Sequence, residues 1–483
     1  MGLFSDPLFL LSEVKRRSSL MNITKTLSEF IVETNFQNIP QEVVRIAKEF
    51  VLDSIGSQLV GAREPVSEIL REYMKGDFGS PEAGVVGGGV QASVINAAFL
   101  NGTSNHAPEL EACGDFAGSN LLSIIPVALA FGEKLKLPGK RILEAVVIGF
   151  EIQGKMGLAT TPASHEKGWC AISLHGTMGA VVTAAKLLGL NADQTRMAIG
   201  IAASQAGGLM RHLGTMAHFL EGGLGCRNGI LAAGLAKMGA TASGNILDGR
   251  SSFWEVYVGE GHYHPEKMVE DLGSPFYFLS PGTMLKKYPC CTFTHHGLDA
   301  LLELIHKHNL NYEDITSVEV GVTPFIKNAL VGGPDPKSGD MGRFSLEHCL
   351  ASAIVDKDVT FESFRDEKVR SRRLKGARKK ITVTVHPEWP SGRSHLSIPV
   401  TIKLKNGKEL THKVEKVRGA IDLPMSREEQ IERYRGFAEP FLSPAQMERS
   451  AKLILNLDGL KDIAELMNIV AFGPKSPFAI EKE

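Results

Sequence analysis

The 483-residue chain is short of several things that would narrow its class at once. Its six cysteines (Cys113, Cys170, Cys226, Cys290, Cys291 and Cys349) include no C-x-x-C spacing. They are too sparse for a disulfide framework, which suits a reducing compartment. Charge of one sign is also missing. Against 53 Lys and Arg stand 54 Asp and Glu, so net charge draws neither nucleic acid nor an anionic membrane. No uninterrupted apolar run reaches the roughly 18 residues of a membrane span. The N-terminal MGLFSDPLFLLSEVKRRSS has its basic residues after a short apolar run, the reverse of a secretory signal. Asp6 stands where myristoylation wants Ser or Thr. A soluble, cytoplasmic protein that handles small molecules is the expectation.

Several catalytic signatures are absent too. Gly87, Gly88 and Gly89 form no G-x-G-x-x-G, and no P-loop lysine follows them. The 15 histidines show neither H-E-x-x-H nor a Cys/His zinc spacing, and there is no G-x-S-x-G elbow. No metal is expected.

What is present is ample core material: 43% of residues are hydrophobic, enough for two or three domains. From about residue 25 to 270 the apolar spacing is helical. Pro40 opens one helix and Gly61 closes it, and later segments such as LHGTMGAVVTAAKLLGL and GCRNGILAAGLAKMGA carry the small residues of closely packed helices. After about residue 275 the period changes to two in ITSVEVGV, KKITVTVHPEW and LSIPVTIKLKNGKELTHKVEKV, the last with an Asn406-Gly407 turn. The tail from Ser426 is helical again, with Ser443-Pro444 opening a helix. The predicted fold is mainly α, a large all-helical domain plus a smaller α+β domain. Its divisions are an N-terminal extension 1–21, helices 22–272, the α+β domain 273–420, and helices 421–483 that rejoin the first domain. The basic stretch EKVRSRRLKGARKK reads as a solvated face between strands.

Three stretches, NGTSNHAPELEACGDF, SQAGGLMRHLGTMAHFLEGG and LKKYPCCTFTH, occur in an order that resembles the MmgE/PrpD family. AKEFVLDSIGSQLVGA and AAKLLGLNADQ add to the likeness. This is the family of methylcitrate dehydratase, cis-aconitate decarboxylase and an iminodisuccinate epimerase. The resemblance implies that the α+β domain is a lid, that the active site lies in the cleft beneath it, and that the protein is a cofactor-free homodimer.

Departures from the family pattern fall on the catalytic positions. In His106-Ala107-Pro108-Glu109-Leu110-Glu111-Ala112-Cys113, Glu109 replaces the first Asp and Cys113 the Thr. Cys170 takes the place of a histidine, His218 that of a lysine, and His348 that of a tyrosine. The lid lysine is kept as Lys286. The expected catalytic residues are therefore His218, Lys286, His106, Cys170 and Cys113, with Arg211, Glu109, His348 and Met216 binding substrate.

Family substrates are small polycarboxylates that react through an enolate-like state, which needs a proton donor or base and a cation. Lys286 and Arg211 are the candidate cations, and His218 is the residue type that can act as acid or base near neutrality. His106, ahead of Glu109 and Glu111, is either catalytic or a structural hydrogen-bonding group. Cys113 and Cys170 are either small packing residues or a two-base pair. The leading expectation is a dehydratase or decarboxylase of a di- or tricarboxylate. The alternatives are an epimerase of a dicarboxylate such as iminodisuccinate, using the two thiols, and a catalytically silent relative.

Overall fold

The computed structural model describes residues 22–113, 120–390 and 397–473. Its centre is a group of long helices: α1 (Gln41–Gly61), α2 (Val94–His106), α3 (Gly139–Thr160), α4 (Ala171–Leu188) and α5 (Met216–Lys237). Their faces are lined with Ala, Gly, Val and Ile, so backbones approach closely and almost every residue of α4 is buried. By length and composition α4 could cross a membrane, but 83% of it is enclosed by the rest of the protein, as in a core helix. It contains polar Ser, Thr and His, which is why no uninterrupted apolar run marks it in the sequence.

α2 and α5 lie side by side in opposite directions. A Cβ on Gly223 would sit 2.3 Å from the Phe99 carbonyl oxygen and from Thr103 Oγ1, and one on Gly102 would lie 2.6 Å from Cys226 Sγ. Glycine at these crossings sets the helix separation, which brings the last residue of α2, His106, against the first turn of α5. Gly223→Ala is therefore expected to cost about 1–3 kcal/mol through overpacking. Chemical denaturation checks the loss, and unchanged stability would mean that the helices are free to part.

Beyond the helical body the period-2 segments form a mixed sheet. Helix α6 (His295–Lys307) precedes β1 (Ile315–Val322), α7 (Leu346–Asp356) precedes β2 (Ile381–Val385), and β3 (Pro399–Leu404) and β4 (Glu409–Lys413) form a hairpin. The order is β2-β1-β3-β4, with β1 and β2 parallel and the other neighbours antiparallel. The Asn406-Gly407 turn is as expected: Gly407 has φ +84°, and Leu404 donates to the Lys408 carbonyl at 2.9 Å. Alternate residues Val318, Val320, Val400 and Ile402 are buried in a second apolar core with Leu298, Leu301 and Leu350 of the two helices.

The basic stretch differs from its expectation. It forms two short helices, Asp366–Arg370 and Arg372–Arg378, and although Arg370 and Arg373 are exposed, Arg378 is buried. The tail returns to the first core as α8 (Arg427–Ala438) and the helix Pro444–Leu455. Tyr434, Phe441, Ile454 and Met467 pack there, and Arg433 donates to Asp53 of α1 at 2.9 Å.

The passage between the two cores lies later than residue 273. Phe276, Tyr277, Phe278 and Leu285 still belong to the first core, with Tyr277 edge-on to Phe150 at 5.3 Å. Glu151 of α3 accepts the amides of Gly273 and Tyr277 and so holds this loop on the helical body. The chain reaches the second core at Met284 and Tyr288 and leaves it at Val417.

Candidate active site

At the end of α2 the chain turns through Ala107–Cys113 along the boundary of the two cores. Glu109 adopts φ +53°, a left-handed conformation that costs a non-glycine residue of order 1–3 kcal/mol. What holds it there is Lys286. The ammonium donates to Glu109 Oε1 and Glu111 Oε1, both at 2.8 Å, and to the Glu109 carbonyl at 3.3 Å. Glycine at 109 would relieve the backbone but remove the carboxylate. Cys113 and Met284 exchange backbone hydrogen bonds at 3.1 Å each, which fixes Lys286 opposite the glutamates.

All three members of this cluster are buried, so each charge depends on the others. Burial alone would push Glu109 up, but the Lys286 ammonium, with His218 beside it, holds it down at about 2. Glu111 goes the other way. Burial and the Glu109 charge raise it to about 7 against the pull of Lys286. Lys286 loses hydration, which favours the neutral amine, yet the two glutamates outweigh this and keep it charged.

Facing the cluster is His218 in the first turn of α5. Its Nε2 lies 3.8 Å from Glu109 Oε2, and its Nδ1 lies 3.5 Å from Glu221 Oε2 and 3.9 Å from Cys170 Sγ. Glu221 is oriented from behind, because its Oε1 accepts the Leu209 amide at 2.9 Å. The His106 ring meets that of His218 edge-on at 4.5 Å. Burial, reinforced by His218, drives His106 well below its usual value, so it stands as a neutral imidazole that Glu109 Oε2 approaches at 3.7 Å. Between these walls is a cavity of about 100 Å³. Cys113, Asn120 and Cys170 line it along with Lys286, Glu109, Glu111 and His218, while Leu213, Phe293 and Phe344 form an apolar side.

Lys286, His218, Glu109, Cys113 and Cys170 thus come together, with His106 directly behind them. Three expected binding residues do not. Arg211 lies exposed on the turn Met210–His212, whose neighbours Met210 and Leu213 face the cavity instead. Met216 is also exposed, at the start of α5. His348 is inside the lid, where its Nε2 donates to the Ser363 carbonyl at 2.8 Å and Arg378 donates to its Nδ1 at 3.3 Å. Burial pushes it down to about 4.

The structure adds Glu111 as a full member of the site and Glu221 as the partner of His218. Glu111 shows in the sequence as the second half of a His-x-x-Glu-x-Glu pattern, and Glu221 as an acidic residue one helical turn after His218. It also adds Arg343, a buried lid guanidinium that reaches across to the Ala107 carbonyl and to Glu64, the latter at 3.0 Å.

Two groupings, His106–Glu109–His218 and Cys170–His218–Glu221, bring ligand-type atoms within 4.8 Å of one another, a closeness with no counterpart in sequence spacing. In the first, the Lys286 ammonium already supplies the positive charge beside Glu109. In the second, burial and the neighbouring Glu221 raise the Cys170 thiol far above its usual range, away from the thiolate a two-base mechanism needs. Cys170→Ser is accordingly expected to retain turnover within a few-fold in a steady-state assay.

The fold and site define a two-part, mainly helical protein with a buried lysine–dicarboxylate cluster in a cleft beneath an α+β lid. Residues 25–266 match the MmgE/PrpD N-terminal domain and residues 288–458 the MmgE/PrpD C-terminal domain. The chain belongs to the MmgE/PrpD family. It is 28% identical to a cis-aconitate decarboxylase of Aspergillus terreus over 481 residues, covering 94% of this chain and 97% of the relative. With the cis-aconitate decarboxylase of Homo sapiens it shares 26% over 474 residues, 95% and 96% of the two chains. A cis-aconitate decarboxylase-like protein of Aspergillus oryzae is 25% identical over 478 residues, 93% and 97%. These relatives favour lyase over epimerase chemistry, as does the suppressed thiolate of Cys170.

Proposed function

We propose that the protein is a lyase that decarboxylates a small di- or tricarboxylate, using its own side chains for the acid/base steps. The observation that carries this reading is the buried Glu109–Lys286–Glu111 triad facing His218 across the cavity. Removing carbon dioxide from a carboxylate breaks one C–C bond and leaves the electron pair on carbon, delocalised into a second, retained carboxylate. A preorganised cation at that carboxylate stabilises the charge as it develops, and Lys286 is charged and fixed for that role. The carbanion then takes one proton. His218, held between Glu109 and Glu221, is the donor, and it is reprotonated from water. The names of the relatives favour decarboxylation over dehydration. The reading extends to a homodimer working in the cytoplasm, with sedimentation and cell fractionation as its checks.

Glu111 sets the pH response. When ionised it competes with the substrate for Lys286, and as the acid it leaves more of that charge available. Since its value is raised to about 7, kcat/KM is expected to fall as pH rises through neutrality. Glu111→Gln should flatten that limb of the profile, and an unaltered profile would remove Glu111 from substrate binding.

Proton NMR in heavy water tests the function itself, with the enzyme incubated separately with a series of unsaturated and hydroxylated di- and tricarboxylates. The expected result is loss of one carboxylate and entry of one deuteron, at the vacated carbon of a saturated acid or at either end of the allylic system of an unsaturated one. Deuterium exchange with no group lost would turn the assignment to an isomerase, and an unchanged spectrum for every acid would defeat the proposal.

A further inference from the structure

We infer that the acid this pocket accepts carries at most two carboxylates and an apolar arm, rather than three carboxylates. The inference rests on the lyase reading and narrows its substrate class. Among the described residues lining the cavity, Lys286 is the single lysine or arginine, and its ammonium is already shared by Glu109 and Glu111. The buried Arg343 turns away, to the Ala107 carbonyl and Glu64, and Arg211 is exposed outside the lining. The remaining oxygens, Glu109 Oε2 and Glu111 Oε2, are buried acceptors without hydrogen-bond partners. They call for a donor and repel a further anion. Position 218 carries an imidazole with Glu109 and Glu221 on its two sides.

Much of the remaining lining is apolar. Asn120, His165 and Thr292 offer neutral polar groups, but Ile172, Leu213, Phe293, Ala329 and Phe344 offer none, and a third carboxylate set against them would lose its water without gaining a cation. Two carboxylates, however, suit the chemistry. The one on Lys286 stays and receives the electron pair, which requires the leaving carboxylate to sit on the carbon next to it or on the allylic carbon of a double bond conjugated with it. The one nearer the apolar wall leaves as carbon dioxide, which is uncharged, so the bond that breaks converts an ill-suited group into a well-suited one. The rest of the apolar surface takes an alkyl arm.

Three acids with the same cis-alkene frame test this directly: 2-methylmaleate, 2-propylmaleate and cis-aconitate, the last with a carboxymethyl arm. Dissociation constants come from calorimetry on the wild-type protein. The alkyl maleates serve as binding probes, because loss of carbon dioxide from an alkene carbon leaves a pair their second carboxylate cannot delocalise, and turnover is followed by NMR with cis-aconitate and the wider acid series. The alkyl maleates are expected to bind at least about tenfold more tightly than cis-aconitate, a factor worth about 1.4 kcal/mol. In Leu213→Lys, which adds a cation to the apolar wall, cis-aconitate should gain at least about tenfold while 2-propylmaleate weakens.

Wild-type binding of cis-aconitate as tight as that of the alkyl maleates would overturn the inference, as would failure of all three to bind. If cis-aconitate binds best and is decarboxylated, the substrate class falls while the lyase stands. If the binding order holds but nothing in the wider acid series turns over, the lyase falls and the pocket's preference stands.

Discussion

Lys286→Met is expected to lower kcat/KM by about 10² to 10³-fold and to remove roughly 3–5 kcal/mol of stability, the largest combined effect of any single change in this protein. The side chain is 1% exposed and makes the two 2.8 Å bonds that neutralise Glu109 and Glu111. Without it, two buried carboxylates lie side by side with no cation between them, and Glu109 keeps its left-handed backbone with nothing to hold it. The stability loss should depend on pH with a definite sign. In the variant, burial raises both glutamates above their unfolded values, so stability is retained at low pH, where both are protonated folded or unfolded. It is lost as pH rises through the raised values. Urea denaturation at pH 5 and pH 8 measures this, and equal losses at both would mean that the charges find another partner. Adding Glu109→Gln and Glu111→Gln to Lys286→Met should return much of the stability but none of the turnover, which separates the structural from the chemical role.

The second large effect belongs to His218. His218→Asn should fold normally, because an amide fits the same buried polar site, and kcat should fall by about 10²- to 10⁴-fold, the span associated with losing a general acid or base. KM should change less than kcat, since carboxylate binding rests on Lys286. Steady-state kinetics on the accumulated product decides it. A rate within a few-fold of wild type would pass the proton-donor role to Glu111.

Much of the architecture was legible because it rests on local rules. Period-2 alternation in ITSVEVGV places Val318 and Val320 inward, and the Asn406-Gly407 pair fixes the hairpin register. Within the site, Lys286 was legible through its place in the family motif, since the adjacent Lys287 is the same residue type and is half-exposed.

Legibility failed where direction decides. Arg211 stands between two residues that flank the cavity, yet the 3₁₀ turn sends its side chain to solvent. A buried histidine that serves the lid, His348, looks the same in sequence as one that serves the cleft, His218. The passage between the cores was hidden because Tyr277 and Phe278 suit either core; their packing on Phe150 and the two amides captured by Glu151 assign them to the first.

Three consecutive residues, Met284, Leu285 and Lys286, are each tied to a different place: Cys113 on the body, Gly419 where the chain leaves the lid, and the glutamate pair. For anyone building chimeras within this family, that stretch behaves as a single indivisible part. A lid exchanged at residue 273 would carry Tyr277 and Phe278 away from the body that packs them. A join placed between 284 and 286 would separate the lysine from the strand contacts that aim it. Cuts after Tyr288 and before Val417 leave the lysine and all its supports on the host, so lids become interchangeable pieces while the buried lysine–glutamate cluster stays with the helical body.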